Sequence, residues 1–165
     1  GAIRTALEHV TGDVALVQDA DLEYSVADYP ALLRPFWDPD TKIVFGSRFL
    51  KRRRPTNMRF ANYLANRLLT LCANVLFRAG ITDEATCYKV FRTEVIRSFP
   101  LRARGFDFCP EVTSLARLHG YRIREAPIEY RARSLAEGKK VRWTDGLQAV
   151  KTMLLYRLGL RSCRK

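Results

Sequence analysis

The sequence predicts an α/β domain with a mostly parallel sheet flanked by helices. Three observations carry that expectation. Helical and strand-like segments alternate through the first fifty residues, at the spacing of a parallel α/β sheet. The first strand-like run ends abruptly in a cluster of acids. Hydrophobic residues make up 47% of the 165, enough for one buried core and too many for a disordered chain.

Residues 2–10 have apolar positions at helical spacing, and Thr11-Gly12 closes that segment. Residues 13–18 (Asp-Val-Ala-Leu-Val-Gln) form a short run rich in strand formers. Residues 25–36 read as a helix opened by Ser25 and Asp28, and residues 42–46 as the next strand. The longest helical stretch is 57–79, with Met58, Leu64, Leu68, Leu71, Val75 and Leu76 as its apolar positions and Gly80 after it. A helix over 110–119 ends at Gly120, residues 121–131 alternate like a strand, and 143–158 form a last amphipathic helix. The chain is expected to divide into a catalytic part, 1–142, and a C-terminal helical part, 143–165.

Twenty-nine Lys and Arg stand against 17 Asp and Glu, a net charge of +12. That balance calls for an anionic partner: nucleic acid, an anionic membrane surface or a phosphate-bearing substrate. Four cysteines without a CxxC pair, and only two histidines, argue against a zinc site and suit reduced thiols in the cytoplasm. No apolar run reaches the roughly 18–20 residues that span a bilayer.

Two segments carry the chemistry. Gln18-Asp19-Ala20-Asp21-Leu22-Glu23 follows the first strand, and ligand sites in α/β sheets sit at the carboxyl ends of strands. Asp19 and Asp21, two residues apart, can both reach one hard cation, Mg²⁺ or Mn²⁺, with Glu23 as a further ligand, directly or through water. Such a cation bridges phosphates, which suits a nucleotide diphosphate leaving group. The plain alternative is a solvated acidic turn. Gly46-Ser47-Arg48 ends the second strand, where an Arg fork can meet phosphate. The basic run Lys51 to Arg54 reads as a mobile surface loop near anionic lipid or substrate.

With these segments in place, the chain resembles the family 2 glycosyltransferases, and among them the dolichyl- and polyprenyl-phosphate sugar synthases. The resemblance rests on an ordered set: residues 18–24 with Asp28-Tyr29-Pro30-Ala31-Leu32-Leu33, then Gly46-Ser47-Arg48-Phe49 and the long helix with Arg59. Thr82-Asp83-Glu84-Ala85-Thr86-Cys87-Tyr88-Lys89-Val90-Phe91-Arg92 follows, then Gly105-Phe106-Asp107-Phe108-Cys109-Pro110-Glu111-Val112. Pro127-Ile128-Glu129-Tyr130-Arg131 and Glu137-Gly138-Lys139-Lys140 complete it. It implies a GT-A fold, a nucleotide-sugar donor, a divalent metal (Mg²⁺ or Mn²⁺) and inversion at the anomeric carbon. It matches Asp19 and Asp21 to the metal- and diphosphate-binding pair. Arg48, Arg59 and Arg131 fall where the family places cations near the acceptor phosphate. Lys139 and Lys140 match the basic end of a mobile acceptor loop, and Lys89 stands where related enzymes often have Arg. The family's nucleotide-cradling strand and helix are expected to precede Gly1, so the fold is expected to be truncated at its N-terminus.

A hydroxyl acceptor needs a general base, and Asp107 and Glu111 are the candidates. A lipid phosphate is already ionised and needs cations more than a base, which the many Lys and Arg around the expected site favour. Asp83 is either a cap or a lining residue of the acceptor pocket, with the pocket preferred. Cys87 and Cys109 are read as packing residues. The final helix, with positive charge alone from residue 151 onward, suits either an anionic lipid surface or packing on the domain. The expected function is transfer of a sugar from a UDP-glucose- or GDP-mannose-type donor to polyprenyl or dolichyl phosphate at the cytoplasmic face of the membrane, with no nucleic-acid partner. The competing readings are a hydroxyl acceptor or a basic nucleic-acid-binding module.

Overall fold

A computed structural model describes residues 2–21, 23–51, 55, 58–131 and 143–163. The basic run Arg52 to Arg54 and the residues Lys139 and Lys140 lie outside the described residues. The elements in order are α1 (Ala2–His9), β1 (Val14–Val17), α2 (Tyr29–Leu33), β2 (Ile43–Ser47), α3 (Phe60–Phe77), β3 (Lys89–Arg92), α4 (Thr93–Ser98), α5 (Phe108–Leu118), β4 (Ile123–Pro127) and α6 (Trp143–Arg157). Short 3₁₀ turns, Val26–Asp28 and Arg34–Trp37, flank α2.

The helix expected over 25–36 is thus broken into three pieces. Pro30 and Pro35 each sit at the start of a piece, where a missing N–H is harmless, and Pro35 cannot continue α2. Ser25 does cap the first piece, accepting the Ala27 N–H at 3.2 Å. Asp28 turns elsewhere, its Oδ2 accepting the Glu129 N–H at 2.9 Å. The long helix starts at Phe60 rather than residue 57 and stops at Arg78, which takes the left-handed conformation at φ 51°. Asn74 then holds the departing chain by two bonds to Ile81, 2.8 and 3.0 Å.

The sheet order is β1-β3-β2-β4. Three of the four strands, β1, β2 and β4, run in the same direction, as expected of a mostly parallel sheet, and β3 is the exception. β2 and β4 are parallel, but β3 runs antiparallel to both β1 and β2. The reason is the return path: α3 and the segment after it bring the chain back to the end of the sheet it left, so β3 enters where β1 and β2 exit. Lys89, the first residue of β3, pairs with Val17 and Phe45 near the ends of those strands.

Side chains alternate across the sheet with period two. Ile43, Phe45 and Phe91 face the main core, with Phe99, Val112, Leu115, Met153 and Tyr156. Val44, Tyr88 and Val90 face a second cluster with Leu32, Phe36 and Ile128. A methyl group at Gly46 would lie 2.8–3.0 Å from Ile128 and the Tyr88 Cβ, so the absent side chain lets this end of β4 close on β2.

The apolar row on α3 does not face the core. Leu64, Leu68, Leu71 and Val75 are exposed, up to 71% for Val75, while Thr70, Ala73 and Phe77 are buried. α6 packs on α3 and α5 through Ala149, Met153 and Tyr156, leaving Leu147, Leu154 and Leu158 exposed. Among the described residues no helix is long and apolar enough to cross a membrane.

Candidate active site at one end of the sheet

Four segments converge where β1 and β2 end: the acidic turn after β1, Arg48 after β2, the loop 82–88 before β3, and residues 128–131 after β4. β3 contributes its beginning to this end because it runs in reverse. A bridge between Tyr24 and Tyr130 fastens the first segment to the last. A cleft of about 550 Å³ lined by Arg4, Leu7, Arg97 and Leu101 belongs to the opposite end of the sheet, away from these groups.

Asp19 is exposed and Asp21 is half-buried, so both carboxylates lie within reach of solvent. Asp21 Oδ1 accepts the Glu23 N–H at 3.1 Å, which shapes the turn. Glu23 is buried, and its Oε2 accepts the Tyr130 hydroxyl at 3.0 Å while its carbonyl accepts the Arg131 N–H at 2.9 Å. Among the described residues no three His, Cys, Asp or Glu side chains converge into a ready cation cage, so Glu23 does not close one with Asp19 and Asp21. The pair still fits a hard cation of the Mg²⁺ type, which takes one or two carboxylates and fills its other positions with water and substrate phosphate.

Tyr24 and Tyr130 form the wall behind the turn. Their rings lie 5.3 Å apart, Tyr24 lies 4.9 Å from Tyr88, and the Arg48 guanidinium sits 5.0 Å over Tyr130. Burial drives the Tyr24 hydroxyl well above its ordinary pKa, against the pull of Arg48.

Arg48, expected at phosphate, is 6% exposed, and its fork is engaged by Asp83: Nε to Oδ2 and Nη2 to Oδ1, both 2.7 Å. Nη2 also donates to Asn66 on α3 at 3.1 Å. Burial, the largest single influence, would lower the Arg48 pKa, but Asp83 together with Tyr24 and Tyr130 raises it and holds the guanidinium charged. Lys89 is fully buried; its Nζ donates to the Glu84 carbonyl at 2.9 Å and stands 3.6 Å from the Phe45 ring centroid. The Glu84 side chain is buried too, and burial pushes its pKa up to about 7 against the opposing charge of Lys89. The Thr113 hydroxyl lies close to that carboxylate, without a hydrogen bond of ordinary geometry.

Arg59, at the start of α3, and Arg131 are exposed and face solvent as an anion-binding role needs. Asp107 and Glu111 part company. Asp107 is half-buried at the N-cap of α5, and its Oδ1 accepts the Gly105 N–H at 3.1 Å. Glu111 is fully buried and brackets three donors: the Arg102 N–H at 3.0 Å, the Ala103 N–H at 2.9 Å and the Tyr156 hydroxyl at 2.8 Å.

Sequence reasoning missed Tyr24, Tyr130 and the thiol of Cys87 as parts of this end of the sheet. The alternation of tyrosines with acids around residues 23–24 and 129–130 was the available signal.

The chain matches the model of the family described as Glycosyl transferase family 2 over residues 1–99. It is 30% identical over 155 residues to the low-salt glycan biosynthesis hexosyltransferase Agl6 of Haloferax volcanii, covering 93% of this chain and 37% of that protein. It is 25% identical over 166 residues to the UDP-N-acetylglucosamine–dolichyl-phosphate N-acetylglucosaminyltransferase of Methanococcus voltae (96% and 65%). It is 28% identical over 130 residues to the undecaprenyl-phosphate mannosyltransferase of Micrococcus luteus (77% and 53%). The chain therefore spans about a third to two thirds of the length of these relatives. Among solved structures it superposes on the glucosyl-3-phosphoglycerate synthase of Mycobacterium tuberculosis with TM-score 0.68 at 20% identity, over 98% of this chain and 55% of that one. The same enzyme in complex with Mn²⁺, UDP-glucose and phosphoglyceric acid gives 0.69 at 18% identity, over the same shares. At these identities the likeness is one of fold, the GT-A-type α/β fold. With more than half of its residues under the family model, the chain belongs to glycosyl transferase family 2.

Proposed function

We propose that this chain carries the acceptor-side part of a metal-dependent, inverting glycosyltransferase that moves a hexose from a nucleotide-sugar to a polyprenyl or dolichyl phosphate. The observation that carries the reading is the juxtaposition of the accessible pair Asp19 and Asp21 with the exposed Arg131, whose N–H is bonded to Glu23 of the same turn. A turn that carries two carboxylates is thus tied by its backbone to a residue that carries a guanidinium. A transfer from a diphosphate donor to a phosphate acceptor needs both. The names of the relatives that act on dolichyl and undecaprenyl phosphate support the acceptor class, and the Mn²⁺–UDP-glucose complex of the fold neighbour supports the metal and the donor.

Asp19 and Asp21 would hold the divalent metal, which when bound would supply positive charge to a departing diphosphate. Arg59 and Arg131, with Lys139 and Lys140 of the acceptor loop, orient the acceptor phosphate opposite the leaving group. Arg48 and Lys89 serve from behind, as buried cations that fix the loop 82–88. Because the acceptor oxygen is already ionised, the displacement needs no base. A hydroxyl acceptor is the second reading, supported by Asp107, a carboxylate still open to solvent at the head of α5. The exposed leucines of α3 and α6, with Lys151 and Arg157, suit a peripheral place on the anionic cytoplasmic face of a membrane.

The test is sugar transfer by the protein as its gene encodes it, with UDP-glucose or GDP-mannose, polyprenyl phosphate and Mn²⁺ or Mg²⁺, beside Asp21→Asn. Metal-dependent transfer to the lipid that Asp21→Asn abolishes supports the reading. Metal-dependent donor hydrolysis without lipid transfer moves the acceptor to a hydroxyl. Activity indifferent to Asp21 refutes the metal site.

A further inference from the structure

The antiparallel register of β1 and β3 pairs Val17 with Lys89 and Leu16 with Val90. Continued two residues past the last pair, it sets Asp19 opposite Cys87. There the backbone ladder has stopped, and a side chain takes over: the Asp19 N–H donates to Cys87 Sγ at 2.8 Å. The N–H of Cys87 in turn donates to the Tyr24 hydroxyl at 3.2 Å. Residue 87 therefore grips the acidic turn on both sides, at Asp19 before it and at Tyr24 after it. The thiol is 8% exposed, while Asp19 itself faces solvent. An exposed carboxylate thus hangs on a backbone fixed from inside.

We propose that Cys87 is a positioning residue for the metal-binding turn: its sulfur, as a hydrogen-bond acceptor, fixes the Asp19 backbone so that the Asp19 and Asp21 carboxylates present themselves together to the cation. The inference rests on the reading of Asp19 and Asp21 as the metal pair. Sulfur is a weak acceptor, but it is the acceptor this N–H has been given in the folded chain. Groups that orient metal ligands from behind are worth roughly 10- to 100-fold in metal affinity.

The acceptor can be removed with or without the volume. Cys87→Ala removes both, Cys87→Val keeps the bulk without an acceptor, and Cys87→Ser keeps an acceptor with less bulk. The measurement is Mn²⁺ binding by electron paramagnetic resonance titration of the protein as its gene encodes it, with thermal melts to confirm folding and the metal KM and kcat of sugar transfer alongside. Asp19→Asn is the control. The expected result is a rise of about 10-fold in the Mn²⁺ Kd and metal KM for Ala and Val, with kcat at saturating metal within about 3-fold of the parent, and Ser close to the parent. Unchanged Mn²⁺ affinity in whichever of Ala and Val folds, with Asp19→Asn binding lost, overturns the role of Cys87 and leaves the metal pair standing. Equal weakening in Val and Ser overturns it as well, since acceptor chemistry would then not matter. Undiminished Mn²⁺ binding by Asp19→Asn refutes the metal pair itself, and the positioning role with it.

Discussion

Arg48 and Asp83 meet through two parallel contacts of 2.7 Å, with both side chains inside the protein. The pair joins the end of β2 to the loop before β3, and its cation faces Tyr130. Removing one partner strands the other charge in the interior. Asp83→Ala is expected to lower stability by about 3–5 kcal/mol, and the double variant Asp83→Leu with Arg48→Met to recover most of that loss. Urea denaturation of the single and double variants measures it. A primary role of Arg48 at phosphate would instead appear as lost transfer at parental stability.

Glu84 gives stability a pH dependence of definite sign. Its pKa is about 7 in the folded chain against 4.5 in the unfolded one, so the folded state holds a proton that the unfolded state releases. The contribution is fully present below pH 4.5 and is lost as pH rises through 7. Its size is on the order of 3 kcal/mol. Glu84→Gln is expected to flatten the stability profile across that window and to be more stable than the parent at pH 8. Chemical denaturation at half-unit pH steps checks both.

Tyr156 and Glu111 tie α6 to the head of α5. Tyr156→Phe removes one donor to a buried carboxylate and is expected to cost about 1.5–3 kcal/mol, with kcat unchanged. Glu111→Ala leaves the Arg102 and Ala103 N–H groups without their acceptor and is expected to cost more than Tyr156→Phe. If Glu111 were the general base, Glu111→Gln would instead fold like the parent and lose transfer. Thermal melts and transfer assays on the same preparations separate the two.

The exposed leucines make a fourth prediction. Leu68→Glu and Leu154→Glu are expected to leave stability within about 0.5 kcal/mol, since neither side chain is in the core. Both are expected to reduce sedimentation with vesicles containing anionic lipid. Binding that raised salt abolishes and the leucine variants do not alter would assign attachment to the basic residues alone.

Element types and order were legible in the sequence wherever periodicity was long or strand formers clustered, as in α3, α5 and β2. β3 was not: residues 89–92 lie inside a motif whose chemistry drew attention away from their alternation, and strand direction has no local signature. The same limit applied to the site. Asp19 and Asp21 announce themselves by spacing and by following a strand, and the structure leaves them accessible. Arg48 looked equally suited to a ligand, yet its partner Asp83 lies 35 residues on, a distance no spacing rule bridges. The α3 leucines show the converse: their period is helical, but periodicity names a face without saying what covers it.

The reversed direction of β3 also sets where this chain can tolerate a change of length. Every residue added between α3 and β3 enters at the crowded end of the sheet and pushes Asp83, Cys87 and Tyr88 out of register with the turn they support. The connection from β3 into α4 is at the far end, where Thr93 bonds to Asp13 and Gly12. Length variation among homologues should therefore be suppressed in the segment that leads into this strand.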